Sequence, residues 1–285
     1  MPLTLLYRGS GDGCNYDCGY CPFRASRTPS GPAAADHEEL ARLLDWLRPA
    51  TDRTVRLFFT PKGEALVLPA YQHAIRTACE LDHVQRVAMQ TNLSCSLDWL
   101  RDFPAPHKLG LWCSYHPSQA TQAQFLRRCL ALRELGIAFS VGIVGVKENF
   151  AAITAMRAAL PEDIYLWINA YKHGSDYYRP ADIQFLTAID PLFPLNLHPQ
   201  PSHGVSCHCG DDVLAVQGDG TVQRCWFCPA PLGNLYTGTW RRDPTPCPNQ
   251  ECRCHIGYVH APDLPAHAHF GEGILERIPR PGWGQ

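Results

Sequence analysis

The sequence lacks a strong charge bias and any long apolar run. Its 285 residues include 25 basic and 27 acidic side chains, with a formal net charge of −2. Because neither sign forms a long run, neither nucleic acid nor a membrane surface is expected as the main partner. No apolar segment approaches the roughly 18–20 residues that a membrane-spanning helix needs. The first residues also lack the charged and apolar regions of a secretory signal peptide, so we expect a cytoplasmic protein.

The composition is typical of a globular protein. Hydrophobic residues make up 45% of the chain and charged residues 18%, which is enough apolar material to bury a core. The length predicts one large domain or one and a half. Fourteen cysteines would suit a secreted disulfide scaffold, but several of them are grouped in C-x2-C and C-x-C pairs. In a long chain without a signal segment, this grouping favours metal binding in a reducing cytoplasm.

Three cysteines, Cys14, Cys18 and Cys21, lie in a glycine-bounded loop directly after a short apolar strand. Their C-x3-C-x2-C spacing allows all three thiolates to point into one small volume. Thiolates are soft ligands that select zinc, Cu(I) or iron–sulfur clusters. A structural zinc site would need a fourth ligand, and the next candidate along the chain is His37. Three thiolates on a four-iron cluster would instead leave one iron open, where chemistry can take place.

Six strand–helix units follow one another over the first two thirds of the chain. The first helix follows a capping-box pattern at Asp36 and Glu39 and carries leucines along one face. Six consecutive units predict parallel strands with right-handed crossovers. Eight units would close a barrel, so we expect an α/β fold with an open, partial (β/α)6 TIM-like barrel. The predicted strands are Leu3–Tyr7, Val55–Phe59, Val84–Met89, Leu109–Trp112, Ile137–Val144 and Ile164–Ile168.

Polar residues cluster just past the ends of the predicted strands. In sheets of this kind, ligands bind at the carboxyl ends of the strands. Core packing alone would not place several polar side chains on one rim, so we expect a ligand site there. The members of this set are Glu64, Asn92, Ser114 and Asn169.

The C-x3-C-x2-C motif, with the aromatic Tyr20 just before its last cysteine, resembles the signature of the radical S-adenosylmethionine (SAM) superfamily. The resemblance implies that Cys14, Cys18 and Cys21 hold a [4Fe–4S] cluster, and that SAM chelates the open iron through its methionine part. It further implies that an external one-electron reductant, of the flavodoxin or ferredoxin type, reduces the cluster. Cleavage of a carbon–sulfur bond then gives a 5′-deoxyadenosyl radical, which abstracts hydrogen from the substrate.

The same resemblance implies roles for several rim residues. Lys62-Gly63-Glu64 is similar to the family's Gly-Gly-Glu segment, which binds the ammonium group of SAM, with lysine in place of the first glycine. Ser114 and His116 resemble polar positions that contact the ribose hydroxyls or the carboxylate of SAM. The residues alone leave plainer alternatives open. Glu64 could be a solvated surface charge, and His116 a turn residue before Pro117.

Further positions are assigned to the cofactor by the resemblance. Ile143, in a fifth-strand I-x-G-x-x-E pattern that ends at Glu148, is expected to pack on adenine, with Tyr20 beside it. Asn169 is a candidate for contact with adenine or substrate, and Asn92 is counted with the cofactor-binding residues. The alternatives are that Ile143 is an ordinary core residue and that Tyr20 fills the underside of the cysteine loop.

From about Pro191 the strand–helix rhythm stops, and the composition turns to Pro, Gly, His and Cys. Val213–Val216 and Thr221–Arg224 are predicted to form a hairpin that brings the first cysteines of this tail together. So small a segment has too little apolar area to fold by burial alone, and we expect metal to stabilise it. Seven cysteines lie here: Cys207, Cys209, Cys225, Cys228, Cys247, Cys252 and Cys254.

The spacing C-x10-G-x4-C between Cys209 and Cys225 resembles the SPASM or twitch extensions of the superfamily. It implies one auxiliary [4Fe–4S] cluster, with a second left open. Cys228 is undecided, and the expected ligands are Cys207 or Cys209, Cys225, Cys247, Cys252 and Cys254. A structural zinc site is the alternative, which the Cys-x-Cys-His segment ending at His255 would also suit. The predicted domains are accordingly a radical SAM barrel at 1–190 and an auxiliary-cluster domain at 191–285.

The resemblance implies a radical SAM enzyme that abstracts hydrogen from an unactivated C–H bond. A peptide or protein side chain is the first expected substrate and a small metabolite the second, with oxidation or cross-linking as the outcome. Two alternatives belong to other classes: a zinc-stabilised binding module without chemistry, and a redox protein that only passes electrons between clusters. The remaining cysteines are expected to be inert buried thiols: Cys79, Cys95, Cys113 and Cys129.

Overall fold

The computed structural model describes residues 2–11, 13–23, 33–172, 176–254, 260–270 and 277–279. Its strands are β1 (Leu3–Arg8), β2 (Val55–Phe59), β3 (Val84–Thr91), β4 (Leu109–Tyr115), β5 (Ala138–Val144), β6 (Leu166–Asn169), β7 (Gln200–Pro201), β8 (Val213–Gln217), β9 (Thr221–Cys225), β10 (Cys228–Asn234) and β11 (Glu251–Cys252). Its helices are α1 (Ala33–Leu47), α2 (Pro69–Glu80), α3 (Gln122–Glu134), α4 (Phe150–Ala159), α5 (Pro180–Ile189) and α6 (Pro265–Phe270). No helix among these described residues is long and apolar enough to cross a bilayer.

All six predicted strands form, and each pairs in parallel with the next one along the chain, from β1 to β6. This arrangement confirms the predicted α/β fold of the partial TIM-like barrel type. Three strands are longer than predicted, since β1 runs to Arg8, β3 to Thr91 and β4 to Tyr115. The sixth begins at Leu166 rather than Ile164, whose carbonyl accepts a hydrogen bond from Arg157 at 2.7 Å instead of joining the sheet.

The two faces of the sheet have different partners. One face packs against the apolar sides of α1 to α5, with Leu5 and Leu57 fully buried between them. The other, which we call the inner face, carries Leu6, Phe58 and Trp112. These side chains are covered by residues of the tail instead of by crossover helices. Alternation along each strand therefore decides which side chains can reach a ligand on the inner face.

Helix α1 corrects one prediction. It begins at Ala33, three residues before Asp36, so the capping-box interpretation of Asp36 and Glu39 is wrong. The Asp36 carboxylate accepts a hydrogen bond from the Gly11 N–H at 3.0 Å, and the Glu39 carboxylate accepts one from the Ser10 N–H at 2.8 Å. The two carboxylates thus bind the loop that leads to Cys14 rather than the start of their own helix.

The predicted tail hairpin forms and extends the main sheet. Strand β8 pairs in parallel with β1, with Leu214 opposite Leu5, and β9 and β10 follow in antiparallel order. The sequence did not predict β10, because Pro229 and Pro231 interrupt it. Its position at the edge of the sheet accommodates both prolines, which have no N–H to donate to a neighbour. The division at residue 190 stays a prediction.

The last described residues close the inner face. Arg277 is 1% exposed, and its guanidinium lies 4.5 Å from the ring centre of Trp112 and 4.4 Å from that of Trp167. Phe270 of α6 packs edge-on against Trp167. A cation between two indole faces is a favourable way to bury an arginine. The tail therefore contributes both a sheet extension and a cover for the barrel.

Replacing Leu214 with alanine tests whether the tail hairpin and the barrel unfold together. Leu214 is 0% exposed in the core shared with β1, so Leu214→Ala should lower the free energy of unfolding by about 2–5 kcal/mol. A chemical denaturation curve should keep a single transition. The control Gln217→Ala, at the exposed end of β8, should change stability by less than about 0.5 kcal/mol. A separate transition for the tail in Leu214→Ala would contradict the shared core.

Candidate functional site

The cysteine loop lies against the carboxyl end of β2. The backbone N–H of Glu64 donates to the carbonyl of Gly13 at 3.0 Å. A Cβ on Gly63 would lie 1.9 Å from the same oxygen and 3.1 Å from the Cys14 nitrogen. Only glycine fits at position 63, because any side chain would displace the first cysteine of the loop.

Side-chain hydrogen bonds attach the same loop to the ends of β3 and β4. The amide of Asn92 donates to the side-chain oxygen of Asn15 at 3.0 Å, and Asn15 donates to the Ser94 hydroxyl at 2.9 Å. Farther along the loop, the Asp17 N–H donates to the side-chain oxygen of Gln119 at 3.0 Å. The predicted rim and the cysteine motif therefore occupy the same edge of the sheet.

The three motif cysteines lie near two tyrosines, Tyr16 and Tyr20. Cys18 is 3% exposed, while Cys14 and Cys21 are half-buried. Burial raises the pKa of Tyr16, and the nearby Cys18 and Cys14 thiols raise it further. Burial likewise raises the pKa of Tyr20, with Cys18 and Cys21 contributing in the same direction. Each thiol therefore lies close to at least one of the two tyrosines, and the convergence of all three on one volume stays a prediction.

Tyr20 and His116 are two of the predicted cofactor-binding residues. They are 96 residues apart in the sequence but lie together in the structure. The Tyr20 hydroxyl is 2.9 Å from Nδ1 of His116, and the two rings are stacked with centroids 5.9 Å apart. The Tyr16 ring meets the same histidine edge-on at 6.0 Å. The structure thus forms an aromatic wall between the cysteine loop and the end of β4. A planar ligand group could pack against such a wall.

Glu64 is the most buried acid of the rim, with 2% exposure, so the solvated-charge alternative does not describe it. Its carboxylate accepts hydrogen bonds from the Thr91 hydroxyl at 2.8 Å, from the Leu66 N–H at 3.2 Å, and from the Asn92 N–H. Burial nevertheless raises its pKa to about 7, because desolvation of the charged form outweighs these bonds. A carboxylate has about four acceptor sites, so few acceptor sites of Glu64 remain for a ligand.

The remaining rim predictions divide between the two faces of the sheet. Ser114 lies two residues after Trp112 on β4, so both side chains are on the inner face. Ser114 is half-buried there. Asn169 is on the same face as Trp167, whose indole N–H donates to its side-chain oxygen. Ile143 is 1% exposed and belongs to the core between the sheet and the helices. The structure therefore does not bring Ile143 together with the other predicted cofactor residues.

The tail cysteines gather against the inner face of the sheet. Cys209 is 2% exposed in the inner-face core, and Cys207, Cys225, Cys252 and Cys254 pack against that core. The Cys209 side chain hydrogen-bonds Cys207 and lowers its pKa to about 7. Cys225 is similarly paired with Cys228, the member that the sequence left undecided, and the Asn249 amide donates to the Cys228 sulfur at 3.3 Å. Cys247 donates to the Ser202 hydroxyl at 3.7 Å.

Within the described residues, no group of three or more His, Cys, Asp or Glu side chains is arranged to hold a metal ion. A single zinc ion needs its sulfur ligands within about 2.3 Å of one point. In an iron–sulfur cluster each thiolate binds its own iron, so the sulfurs stand farther apart. His255, which the zinc alternative would use, lies outside the described residues.

The four other cysteines are buried, as predicted. All lie in the core between the sheet and the helices, with exposures from 0% to 7%. Burial raises the pKa of Cys95 to about 11 and those of Cys79 and Cys129 to about 12, and it raises that of Cys113 well above the usual value. Such thiols stay protonated and are poor ligands and nucleophiles at neutral pH.

Sequence reasoning missed residues at the start of the cysteine loop. Arg8 ends β1, its Nε donates to the Thr60 carbonyl at 2.8 Å, and its guanidinium lies 3.9 Å from the ring centre of Trp226. Trp226 itself comes from the tail, between Cys225 and Cys228. A charged residue directly after an apolar strand was a visible signal for Arg8. Its tail partner could not be known without the fold.

An open cleft of about 780 Å³ lies elsewhere on the molecule. It is lined by Trp46 near the end of α1 and by Tyr236 and Trp240 after β10. None of the predicted site residues lines it. The cleft is therefore separate from the rim on which the cysteines and polar side chains meet.

Two glycines of the site allow a matched test of the loop contact. Gly63→Ala should displace the cysteine loop, because its Cβ meets backbone atoms that cannot move aside. After anaerobic reconstitution with iron and sulfide, this variant should bind about four irons fewer than the wild type. Gly13→Ala is the control, since a Cβ there meets nothing within 4 Å. Equal iron content in both variants would show that the contact does not position the thiols.

The buried Glu64 predicts a pH dependence of stability. Its pKa rises from 4.5 to about 7 on folding, so the folded protein carries a proton that the unfolded chain has lost between these values. The free energy of unfolding should therefore fall as pH rises through that window, by on the order of 3 kcal/mol for this group. Asp190, whose pKa burial also raises to about 7, acts in the same direction.

The contribution of Glu64 can be isolated by substitution. Glu64→Gln cannot ionise, so its denaturation free energy should depend less steeply on pH between 4.5 and 7 than that of the wild type. Glu148→Gln, at an exposed position near the same rim, should leave the wild-type slope unchanged. Identical slopes in wild type and Glu64→Gln would mean that Glu64 is already ionised across the window.

Comparison with known proteins agrees with this geometry. Residues 10–105 match the family described as the Radical SAM superfamily. A comparison with curated proteins gives no match.

Solved structures share the fold at low sequence identity. One is native anSMEcpe with bound AdoMet and Kp18Cys peptide, with TM-score 0.57, 16% identity, and coverage of 84% of this chain and 79% of that chain. Another is hexahistidine-tagged anSMEcpe with bound AdoMet, with TM-score 0.56, 17% identity, and coverage of 84% and 76%. A third is Streptococcus suis SuiB bound to S-adenosylmethionine, with TM-score 0.52, 15% identity, and coverage of 83% and 64%. At these identities the likeness concerns the fold. The family match covers residues 10–105, and the solved structures share the fold over 83–84% of the chain.

Proposed function

We propose that this enzyme abstracts hydrogen from a peptide or protein side chain, using SAM and a [4Fe–4S] cluster held by Cys14, Cys18 and Cys21. The observation that carries the proposal is the contact of the cysteine loop with the Gly63–Glu64 segment at the carboxyl rim of the parallel sheet. With SAM bound, the cluster supplies one-electron reductive cleavage of the cofactor. An external protein of the flavodoxin or ferredoxin type would deliver the electron.

The motif residues fit a cluster with one open iron. They provide three soft thiol ligands on one short loop. The loop is attached to the rim by hydrogen bonds with Asn92 and Gln119. Cys18, the middle one, is 3% exposed, so a cluster there would be shielded from water on the protein side. Shielding of this kind limits side reactions of a reactive intermediate.

The rim residues would bind and orient the cofactor. Backbone carbonyls of the Lys62–Glu64 segment would accept hydrogen bonds from the ammonium group, while the buried Glu64 carboxylate keeps this segment and the end of β3 in position. Tyr20 and His116 would offer their stacked rings to the adenine or ribose side. Ser114 and Asn169 lie on the inner face, where a substrate would approach.

The tail would hold one auxiliary [4Fe–4S] cluster. Its support is the gathering of Cys207, Cys209, Cys225 and Cys254 against the inner face, together with their mutual electrostatic influence. Cys252 and Cys228 lie beside this group, so the choice among them is open to experiment. Such a cluster could ligate the substrate or accept an electron after hydrogen abstraction, giving an oxidised or cross-linked product.

A peptide substrate is supported by one structural neighbour, which is described with bound AdoMet and a peptide and has a TM-score of 0.57. A small metabolite is the alternative. Deuterium transfer distinguishes them: the enzyme is incubated with SAM, reductant and either the peptide or the small-molecule fraction of a fully deuterated cell extract. Deuterium should enter 5′-deoxyadenosine only with the fraction that contains the substrate. Enrichment with the small-molecule fraction alone would reject the peptide proposal.

Reconstitution tests the radical chemistry itself. The proposed enzyme should take up about eight irons and form 5′-deoxyadenosine when dithionite and SAM are added. Uptake of zinc without iron would instead support a non-catalytic binding module. Clusters without 5′-deoxyadenosine would support a redox protein.

The two cysteine groups should respond differently to substitution. Cys18→Ala should abolish 5′-deoxyadenosine formation, because it removes a ligand of the cluster that binds SAM. Cys252→Ala should leave part of this activity, uncoupled from substrate. Cys129→Ala, a buried thiol outside both groups, serves as the control and should keep both iron content and activity. Equal and total loss in Cys18→Ala and Cys252→Ala would show that the tail only stabilises the fold.

A further inference from the structure

The inner face carries an arginine that is largely buried without an acidic partner. Arg8 is two residues beyond Leu6 on β1, so its side chain lies on the inner face. Burial lowers its pKa to about 10, and only the Cys254 thiol opposes this shift. Among the described residues no carboxylate forms an ion pair with Arg8. A largely buried cation is costly unless an anion compensates it.

The geometry of Arg8 leaves its terminal nitrogens available. Its Nε donates to the Thr60 carbonyl, and the face of its guanidinium lies 3.9 Å from the ring centre of Trp226. These two contacts fix the plane of the group. Within the described residues the two terminal nitrogens make no hydrogen bond. A guanidinium fixed in this way presents a two-pronged donor edge that matches a carboxylate.

A second cation, Lys172, is influenced by the same tail thiol as Arg8. Lys172 lies three residues after the end of β6. Its pKa is lowered to about 8 by burial and by Arg277, and the thiols of Cys252 and Cys254 act in the other direction. Arg8 and Lys172 thus both lie within electrostatic reach of Cys254. Both cations therefore lie near the tail cysteines.

The buried acids Glu64 and Asp190 are hydrogen-bonded within the protein, and neither forms an ion pair with Arg8. Glu64 accepts hydrogen bonds from three groups of the rim. Asp190 accepts from the Tyr165 hydroxyl at 3.0 Å, from the Ile168 N–H at 2.9 Å and from the Leu192 N–H at 3.0 Å. In addition, the indole N–H of Trp226, next to Arg8, is buried without an acceptor among the described residues. The Trp226 N–H and the terminal nitrogens of Arg8 thus lack acceptors among the described residues.

We infer that Arg8 binds a carboxylate group of the substrate at the mouth of the barrel. The inference rests on the proposed function, which places substrate on the inner face, and it narrows the substrate class to molecules with a carboxylate. The fixed guanidinium would orient the carboxylate between the cysteine loop, which begins directly after β1, and the tail cysteines. The carboxylate could belong to an acidic side chain, to a peptide C-terminus or to a small organic acid.

Equilibrium dialysis of reconstituted, SAM-bound protein at constant ionic strength tests this inference without turnover. The radiolabelled probes are acetyl-Ala-Glu-Ala-amide, acetyl-Ala-Ala-Ala with a free C-terminus, and glutarate, and acetyl-Ala-Gln-Ala-amide is the uncharged control. At least one carboxylate probe should bind more tightly than the glutamine peptide, and the preferred probe identifies the source of the carboxylate. Binding no tighter than that of the glutamine peptide by all three would overturn the inference.

Variants then assign the site. Arg8→Gln should weaken binding of the preferred probe about tenfold, as expected for loss of a charge-assisted pair. Arg8→Lys keeps the charge but lacks the planar, two-pronged donor group of a guanidinium. This variant should therefore also bind the probe more weakly than the wild type. Arg127→Gln, on the exposed side of α3, is the matched control and should bind like the wild type. Unchanged binding in Arg8→Gln would overturn the inference.

Two further measurements keep the result interpretable. Where Arg8→Gln unfolds at a lower temperature than the wild type, Arg8→Lys is the second variant, and its weaker binding of the probe should appear at the wild-type iron content. Formation of 5′-deoxyadenosine is measured on the wild type alone. Cofactor cleavage without Arg8-dependent binding would reject only the carboxylate site. Binding that depends on Arg8 without cofactor cleavage would reject only the proposed function. Loss of iron from Arg8→Gln with unchanged probe binding would show that Arg8 serves the tail cysteines instead.

Discussion

The close approach of two backbones at Gly63 and Gly13 is the contact on which the site depends. It combines a hydrogen bond from the Glu64 N–H with a spacing that excludes any Cβ at position 63. The cysteine loop is otherwise a short irregular segment, and such segments have little intrinsic preference for one conformation. Attached at this point, it faces the ends of β2, β3 and β4 together. Reactive groups placed on rigid strand ends keep their geometry better than groups on a free loop.

Glu64 contributes to this order from inside the protein. Its carboxylate joins the end of β2 to Thr91 and Asn92 at the end of β3, and Asn92 in turn binds Asn15 of the cysteine loop. Burial of the charge is unfavourable, as the raised pKa of Glu64 shows. The network therefore lowers the stability of the protein but fixes the arrangement of the rim. The position that sequence similarity assigns to cofactor binding is thus mainly occupied by interactions within the protein. Its effect on a ligand would pass through the backbone that it holds in place.

Strand β1 connects the two cysteine groups. On one side it pairs with β2, and after Arg8 it leads into the Cys14 loop. On the other side it pairs with β8, whose hairpin carries Cys225 and Trp226. The stacking of Arg8 on Trp226 makes this connection a direct contact between barrel and tail. The tail is therefore integrated into the main sheet, and its cysteines face the same interior as the inner-face side chains of the barrel.

The sequence by itself determined the order and type of the elements and the identity of the cysteine loop. Strand and helix patterns depend on neighbouring residues, so the strand Val55–Phe59 and the hairpin of Val213–Val216 with Thr221–Arg224 could be predicted to within a residue or two. Only the tertiary structure decided which distant groups meet. It paired Tyr20 with His116, turned Asp36 and Glu39 toward Ser10 and Gly11, and placed Ile143 in the helix-side core. It also joined β8 to β1 and so brought Trp226 over Arg8. These contacts depend on strand register and crossover packing, which arise between segments far apart in the chain and leave no local pattern in either one.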